Sequence, residues 1–443
     1  MAGHWAHKSA AELGRDINAG RISPVDLAEA HLAAIESHPQ ADRIFARTTP
    51  ARARAEAMAA HGRARSGQRR SLIDGVPISW KDNFDTAGVA TEAGSALLKG
   101  RTPSKDAEVL TTATLMGLVC LGKTHMSELA FSGLGLNPIT ATPPCINDDR
   151  AVPGGSSSGA AASVAFGLAP AAIGSDTGGS VRIPAAWNDL VGLKTTAGRL
   201  SITGVVPLCE TLDTVGPIAR NVEDCAHLFA ALEGVRPIDL SGGSVAGMRF
   251  LVLDTVALDD LRDAPGKGFS DALTRLSAAG ARLEHAEVPA VAEAMGLAPI
   301  LFTSEAYAIW REVIEAAPGK MFPRILERFR AGGGFAAADY VAALRRLGDL
   351  RMAWAAAVAG YDAVLVPTAP ILPPDAARLM TDDGYYVTEN LLALRNTRIG
   401  NLMGNCALTL PTSSPSCGIS FMCPPGQEEK LLRIGAAAET ALR

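Results

Sequence analysis

The sequence is short of the features that build disulfide-stabilised, membrane-spanning or nucleic-acid-binding proteins. Its seven cysteines are scattered, their number is odd and no C-x-x-C motif occurs, so no disulfide framework is indicated. No uncharged apolar run reaches the roughly 18 residues that a membrane-spanning helix needs. The formal net charge of −5 over 443 residues does not favour a nucleic-acid partner, which a strongly basic chain would attract.

The N-terminal stretch MAGHWAHKSAAELGRD has no apolar core of the kind found in secretory signal peptides. Because the cysteines also show no pairing pattern, we expect a reduced, cytoplasmic protein with no membrane or nucleic-acid partner. The one strongly basic stretch, residues 51–70, has alanines between its arginines at helical spacing. We interpret it as the solvated face of a helix.

Apolar residues, in contrast, are plentiful: 48% of the chain is hydrophobic and 20% is charged, which allows a large core. Helical and short apolar segments alternate along the chain, and this order is typical of the α/β class, with helices on both faces of a buried sheet. Residues 20–37 contain a predicted helix. Ser23 is a good N-cap and Pro24 suits the first helical position, so the helix is expected to begin at these two residues. We expect a single domain over residues 1–443, with residues 230–360 forming a helical insertion or cap within it.

Three consecutive serines in PGGSSSGAA, residues 153–161, raise the question of a nucleophile. Ser157 fits the pattern G-x-S-x-G, which requires a preceding strand and a later acid and histidine. The only later histidines, His227 and His285, lie in a helical and an amphipathic stretch, and no apolar strand precedes the serines. The loop also lacks the G-x-x-x-x-G-K-[ST] pattern of a phosphate loop, and no S-x-x-K motif occurs in the chain.

A second Gly-Ser cluster, GSDTGGSVRIPAA, offers a different arrangement. Gly178 and Gly179 precede Ser180, and consecutive glycines allow a turn whose N–H groups bind an anion such as a tetrahedral oxyanion. A serine nucleophile needs a base, and Lys81, at the end of the apolar run GVPISW, could serve if burial lowered its pKa. Other interpretations stay open here, because serines often cap turns and Lys81 could pair with Asp82 at the surface.

Taken together, these stretches resemble the amidase signature family. The family patterns HGVP-x-x-x-KD, PGGSSGGS and GSDTGGSIRxPAA are similar to DGVPISWKDNFD, PGGSSSGAA and GSDTGGSVRIPAA in this chain. Two further stretches, GLKTTAGRLS and TLDTVGPIARNVED, match family patterns as well. The resemblance is dense from about residue 72 to about residue 225 and weaker towards both ends. It implies a single α/β/α domain in which helices cover both faces of a twisted mixed sheet.

The resemblance also implies roles for individual residues. Ser180 matches the family's nucleophile, Lys81 matches the base, and Ser156 matches the serine that bridges them. In the family the peptide bond before that bridging serine is cis, which here is the bond from Gly155. Gly155 and Phe131 are also expected to contact substrate. The family's oxyanion hole consists of four consecutive residues, which match Thr177, Gly178, Gly179 and Ser180.

The implied activity is that of a serine-dependent hydrolase, which cleaves the C–N bond of a carboxylic amide through an acyl-enzyme and uses no cofactor or metal. Aryl or alkyl amides, esters and carbamates (urethanes) all fit this chemistry, so the expected partner is a small amide or carbamate. A homodimer, a glutaminase subunit of an amidotransferase and a non-catalytic scaffold remain alternatives. Residues 187–189 read WND where the family has FCG, so a relative's substrate cannot be carried over.

Overall fold

A computed structural model describes residues 5–443 and places eleven strands in one sheet. In chain order the strands are β1 (Phe45–Thr48), β2 (Pro77–Lys81), β3 (Val119–Thr124), β4 (Ala172–Asp176), β5 (Val191–Lys194), β6 (Thr214–Ala219), β7 (Arg249–Leu253), β8 (Arg282–Ala286), β9 (Ala363–Pro367), β10 (Cys406–Pro411) and β11 (Gly418–Cys423). Their order across the sheet is β1-β3-β2-β4-β6-β5-β10-β11-β9-β7-β8. β2 is parallel to β3 and β4, β7 is parallel to β8 and β9, and the other neighbours are antiparallel.

Helices connect and cover these strands. In chain order they are α1 (Ala10–Asn18), α2 (Pro24–Ser37), α3 (Ala41–Ile44), α4 (Pro50–Ser66), α5 (Glu108–Leu115), α6 (Ser158–Ala165), α7 (Arg182–Trp187), α8 (Val222–Glu233), α9 (Asp263–Ala278), α10 (Pro289–Ala316), α11 (Pro323–Arg330), α12 (Ala337–Val358), α13 (Ala376–Thr381), α14 (Asp383–Leu402) and α15 (Glu428–Leu442). The Ser23 side chain accepts a hydrogen bond from the N–H of Val25, and Pro24 opens α2, so the predicted helix start is confirmed.

Both faces of the sheet are buried, as the alternation along β7 shows. Phe250 and Val252 belong to one apolar core, whereas Leu251 and Leu253 belong to a second core on the opposite face. Successive side chains of a strand point to opposite faces, so each face of the sheet must be covered by its own layer of helices. The predicted α/β class, with helices on both faces of a mixed sheet, is therefore confirmed.

The range 230–360, expected to be helical, also contributes two strands to the sheet. It contains α9 to α12 together with β7 and β8, which extend the sheet beyond β9. Both strands have only weak signals in the sequence. β7 offers only the short apolar run FLVL, and the edge strand β8 reads RLEHA, with no clear alternation of apolar and polar residues.

The centre of the sheet positions the residues discussed below. β2 and β4 are parallel neighbours, and every residue of both strands is buried. Lys81 is the last residue of β2 and Asp176 the last of β4, so both face the same edge of the sheet. Among residues 5–443 no helix combines the length and apolar character required to cross a bilayer.

Candidate active site

Lys81 is completely buried at the end of β2. Its Nζ donates to Ser156 Oγ at 2.7 Å and to Ser175 Oγ at 2.8 Å. Burial lowers the pKa of Lys81 to about 7, because the interior disfavours the charged ammonium more than the carboxylates of Asp213 and Asp176 favour it. Near neutral pH a large share of Lys81 is therefore an uncharged amine that can accept a proton.

The alternative pairing of Lys81 with Asp82 does not occur. The carboxylate of Asp82 is instead paired with Arg47 at 2.7 Å and with Lys123 at 3.3 Å. Asp82 directly follows the end of β2 and is adjacent to Lys81 only in sequence. This separation leaves Lys81 free of a direct carboxylate partner.

Ser156 lies in the long connection between β3 and α6. The Gly155–Ser156 peptide bond is cis, as the resemblance implied, and the Ser156 side chain is fully buried beside Lys81. The Ser156 carbonyl accepts a hydrogen bond from the N–H of Ser127 at 3.2 Å. The next residue ties this loop to the second serine cluster, because the N–H of Ser157 donates to the carbonyl of Ser180 at 3.1 Å.

Ser180 lies in the tight loop between β4 and α7, which is organised by the carboxylate of Asp176. That carboxylate accepts from the N–H groups of Gly179 (2.8 Å) and Val181 (3.1 Å) and forms a fully buried ion pair with Arg182 at 2.9 Å. Gly179 has a φ of +135°, and a Cβ there would lie 2.1 Å from Thr397 Oγ1. Only glycine fits this position, which explains one glycine of the motif.

The expected oxyanion hole is modified by this arrangement. The N–H of Gly179 points at Asp176 and is already engaged, so it is not free to bind an oxyanion. The other expected donors are the backbone N–H groups of Thr177, Gly178 and Ser180. The Thr177 side chain is held by a hydrogen bond of 2.5 Å to the buried carboxylate of Asp213, which fixes the start of the loop.

Ser157 is not part of an arrangement of serine, histidine and acid. Its Oγ donates to the carbonyl of Ser175 at 3.2 Å. His285 lies in the edge strand β8 and pairs with Asp254 at 2.9 Å, and His227 lies in α8. Neither histidine is a hydrogen-bond partner of Ser157, so the geometry gives no support to the nucleophile-elbow interpretation.

A narrow cavity of about 20 Å³ adjoins Ser180, which is room for about one water molecule. Its lining includes Phe131 but does not include Gly155, the other residue that was expected to contact substrate. Gly155 is instead packed into the loop, where its N–H donates to the carbonyl of Gly133 at 2.8 Å. An organic substrate therefore needs more room beside Ser180 than this cavity offers.

The sequence analysis did not single out several residues that position the site. Ser175 contacts Lys81 directly and is itself bound by Asn83 Nδ2 at 3.0 Å. Ser175 and Asp176 both stand in the stretch GSDTGGSVR, so their place in a long motif was the available signal. Within residues 5–443, no group of three or more His, Cys, Asp or Glu side chains is arranged to hold a metal ion.

A buried lysine of lowered pKa bound to a serine, together with a serine on a glycine-rich loop, is compatible with serine hydrolase chemistry. The comparisons with known proteins agree. The family model Amidase matches residues 26–432. The chain is 35% identical over 411 residues to 2-amino-5-chloromuconic acid deaminase of Comamonas testosteroni, covering 88% of this chain and 87% of that protein.

Two further relatives extend this finding. A glutamyl-tRNA(Gln) amidotransferase subunit of Anaeromyxobacter sp. (strain K) is 33% identical over 479 residues, covering 97% of this chain and 95% of that protein. A crystal structure of an amidase superimposes with a TM-score of 0.88 at 28% identity and covers 98% of this chain and 100% of that one. The chain belongs to the amidase family and is an amidohydrolase.

Proposed function

We propose that the chain hydrolyses the C–N bond of a small carboxylic amide through an acyl-enzyme on Ser180. The observation that carries the proposal is the hydrogen bond of 2.7 Å between Nζ of the buried Lys81 and Oγ of Ser156. In this mechanism Lys81 is the base, Ser156 is the proton relay and Ser180 is the nucleophile. The family supplies the class of reaction, the hydrogen bond from Lys81 supports the roles of Lys81 and Ser156, and the place of Ser180 in the motif GSDTGGSVR supports its role as nucleophile.

The first half of the reaction forms the acyl-enzyme. Neutral Lys81 accepts the proton of Ser156 Oγ, which in turn accepts the proton of Ser180 Oγ, and Ser180 attacks the amide carbonyl carbon. The resulting oxyanion is stabilised by backbone N–H groups of the loop that begins at Thr177. Ser156 then donates a proton to the leaving nitrogen and regains one from Lys81, so that Lys81 is neutral again as the C–N bond breaks and the amine departs.

The second half regenerates the enzyme. A water molecule loses a proton to the same Ser156–Lys81 relay and attacks the acyl carbonyl carbon of Ser180. The tetrahedral intermediate then collapses, the bond to Ser180 Oγ breaks, and the carboxylic acid leaves as Ser180 regains a proton. Esters and carbamates have the same electrophilic carbonyl, so we propose that they are turned over by the same residues.

A hydroxylamine competition experiment tests for the acyl-enzyme. An amide and the methyl ester of the same acid are hydrolysed in the presence of hydroxylamine, and hydroxamate and free acid are quantified. A common acyl-enzyme predicts the same ratio of hydroxamate to acid from both substrates, because partitioning follows the departure of the leaving group. Different ratios, or no hydroxamate from either substrate, would contradict the mechanism, and Ser180→Ala provides the inactive control.

A second candidate function is favoured by one relative. The 33% identity to a glutamyl-tRNA(Gln) amidotransferase subunit supports the proposal that the chain supplies ammonia to a partner protein. The two functions differ in the substrate of the isolated chain. Release of ammonia from glutamine in preference to every other amide of a panel would favour the amidotransferase role over a stand-alone hydrolase.

A further inference from the structure

Two arginine side chains, Arg328 on α11 and Arg398 on α14, line the cavity that adjoins Ser180. Both are half-buried, and among residues 5–443 neither forms an ion pair with a carboxylate. Arg328 Nη1 donates to the carbonyl of Phe131 at 2.9 Å, and its guanidinium lies 4.3 Å from the centre of the Phe131 ring. The guanidinium of Arg398 lies 5.6 Å from the ring centre of Phe302.

The surroundings of Arg328 and Arg398 disfavour their positive charges. Burial lowers the pKa of Arg328 to about 10 and that of Arg398 to about 9, and the charge of Arg328 contributes to the shift of Arg398. Half-buried charges are normally paired, since a charge removed from water without a partner is costly. Two like charges in one small cavity therefore create a site that favours an anion.

The chain supplies no such anion from its own nearby carboxylates. Asp176 is committed to Arg182 in a fully buried ion pair, and Asp213 accepts from Thr177 and from two backbone N–H groups. The other residues that line the cavity are apolar or small, apart from the loop that carries Ser180 and the hydroxyl of Ser132. The anion that complements the two arginines must therefore come from a ligand.

We propose that the substrate is a small amide that also carries a carboxylate, which Arg328 and Arg398 bind while Ser180 attacks the amide carbonyl. This inference rests on the proposed function and specifies its class of substrate. The planar guanidinium group can bind both oxygens of a carboxylate at once, which a lysine cannot do. Charge-assisted pairs of this kind discriminate strongly against a neutral analogue of the same shape.

The position of Arg398 limits the length of the substrate. A Cβ on Gly178 would lie 3.5 Å from Arg398 Cγ, so this side chain packs directly on the loop of candidate oxyanion donors. A carboxylate bound by Arg398 therefore lies within a few bonds of the carbonyl group that Ser180 attacks. Short monoamides of dicarboxylic acids meet this requirement.

Arg328 also lies at the boundary between two cavities. It lines the narrow cavity at Ser180 and a second, outer cavity of about 590 Å³ together with Phe322 and Tyr386. A ligand that enters through the outer cavity meets Arg328 before it reaches Ser180. The same guanidinium can thus attract an anionic substrate towards Ser180.

The test compares charged and neutral amides of the same length. Values of kcat/KM are measured for malonamate, succinamate and glutaramate and, per amide group, for the neutral malonamide, succinamide and glutaramide. We expect the wild type to prefer at least one of the anionic amides by ~10–100-fold, the range given by one charge-assisted hydrogen bond. Arg398→Met should reduce this preference by a similar factor, and Arg398→Lys should reduce it less because the charge remains.

A matched control is available on the same helix. Arg395 lies three residues before Arg398 but contacts Asn396 and the carbonyl of Ala257, outside the cavity. Arg395→Met should therefore leave the preference for the anionic amide unchanged. Equal loss of preference in Arg395→Met and Arg398→Met would overturn the proposal, since it would show that the loss of any positive charge from α14 has the same effect.

Labelling of Ser180 with a fluorophosphonate distinguishes a failure of this inference from a failure of the proposed function. If Ser180 is labelled and the wild type hydrolyses neutral amides as well as the anionic ones, the inference about the carboxylate is wrong and the hydrolase mechanism stands. If neither labelling nor turnover occurs, both proposals are wrong. Malonate and succinate should also protect Ser180 from the label in the wild type and protect it less in Arg398→Met.

Discussion

The substitution Lys81→Met tests two consequences of the buried amine of Lys81. The amine should be required for activity, and it should lower the free energy of unfolding as the pH falls. Methionine keeps the length of the side chain but cannot accept a proton. In the folded chain the pKa of Lys81 is about 7, against 10.5 for an exposed lysine. Between these values the unfolded chain binds more protons than the folded chain, so the stability of the wild type should rise with pH.

The size of this effect follows from the two pKa values. Lys81 is completely buried, and each pKa unit corresponds to about 1.4 kcal/mol. From pH 7 to pH 9 the folded wild type should gain about 2 kcal/mol of unfolding free energy relative to Lys81→Met. Over the same range kcat/KM of the variant should be ~10²–10⁴-fold below that of the wild type, the usual contribution of a general base.

Urea unfolding of both proteins at pH 7, 8 and 9 measures the first quantity, and hydrolysis of a reactive amide measures the second. The difference between the two proteins isolates Lys81, because the other titrating groups are common to both. A difference in unfolding free energy that stays constant from pH 7 to 9 would refute the reasoning that Lys81 is buried with a low pKa. Retained activity of the variant would refute its role as the base.

Three further predictions concern the same loop and its support. The kcat/KM of the wild type should rise about tenfold per pH unit below the Lys81 pKa of about 7 and then level off, whereas a flat profile from pH 6 to 10 would exclude it as the base. Arg182→Met should cost about 3–5 kcal/mol in urea unfolding, because it leaves a buried carboxylate unpaired. The exposed control Arg15→Met should cost about 0–1 kcal/mol, and equal costs would contradict this account. Gly179→Ala should abolish activity and lower the melting temperature, since a Cβ there meets another side chain at 2.1 Å. The control is Gly198→Ala, which should retain activity. Gly198 also has a positive φ, +82°, but a Cβ there would meet no other atom within 4 Å.

The sequence was sufficient to nominate Lys81, Ser156 and Ser180 as candidate catalytic residues, because they lie in long, specific motifs. Lys81 ends the apolar run of β2, and its burial, which lowers the pKa, follows from the central place of that strand. The choice of Ser156 among three adjacent serines came from the resemblance alone. The pattern G-x-S-x-G fits Ser157, but the strand and histidine that it requires are lacking. In space the two serines differ, because Lys81 binds Ser156 whereas Ser157 donates to the carbonyl of Ser175.

The rest of the site could not be predicted because it depends on contacts between distant parts of the chain. Arg328 and Arg398 lie on different helices, and no local pattern indicates that both reach the cavity at Ser180. The pair Gly178–Gly179 is typical of an anion-binding turn in the sequence. In the structure, however, the N–H of Gly179 donates to the carboxylate of Asp176. β7 and β8 were missed because pairing with other strands, β7 with distant β9 and β8 with β7, defines them more than their own sequences do.

The central claim is that Ser180 is a nucleophile activated through Ser156 by Lys81. Peptide mass spectrometry after treatment with a fluorophosphonate probe measures this most directly. The account predicts a single modified serine, Ser180, with labelling strongly reduced in Lys81→Met and Ser156→Ala while both variants stay folded. Label on Ser157, or labelling of Ser180 at the wild-type rate in Lys81→Met, would contradict it.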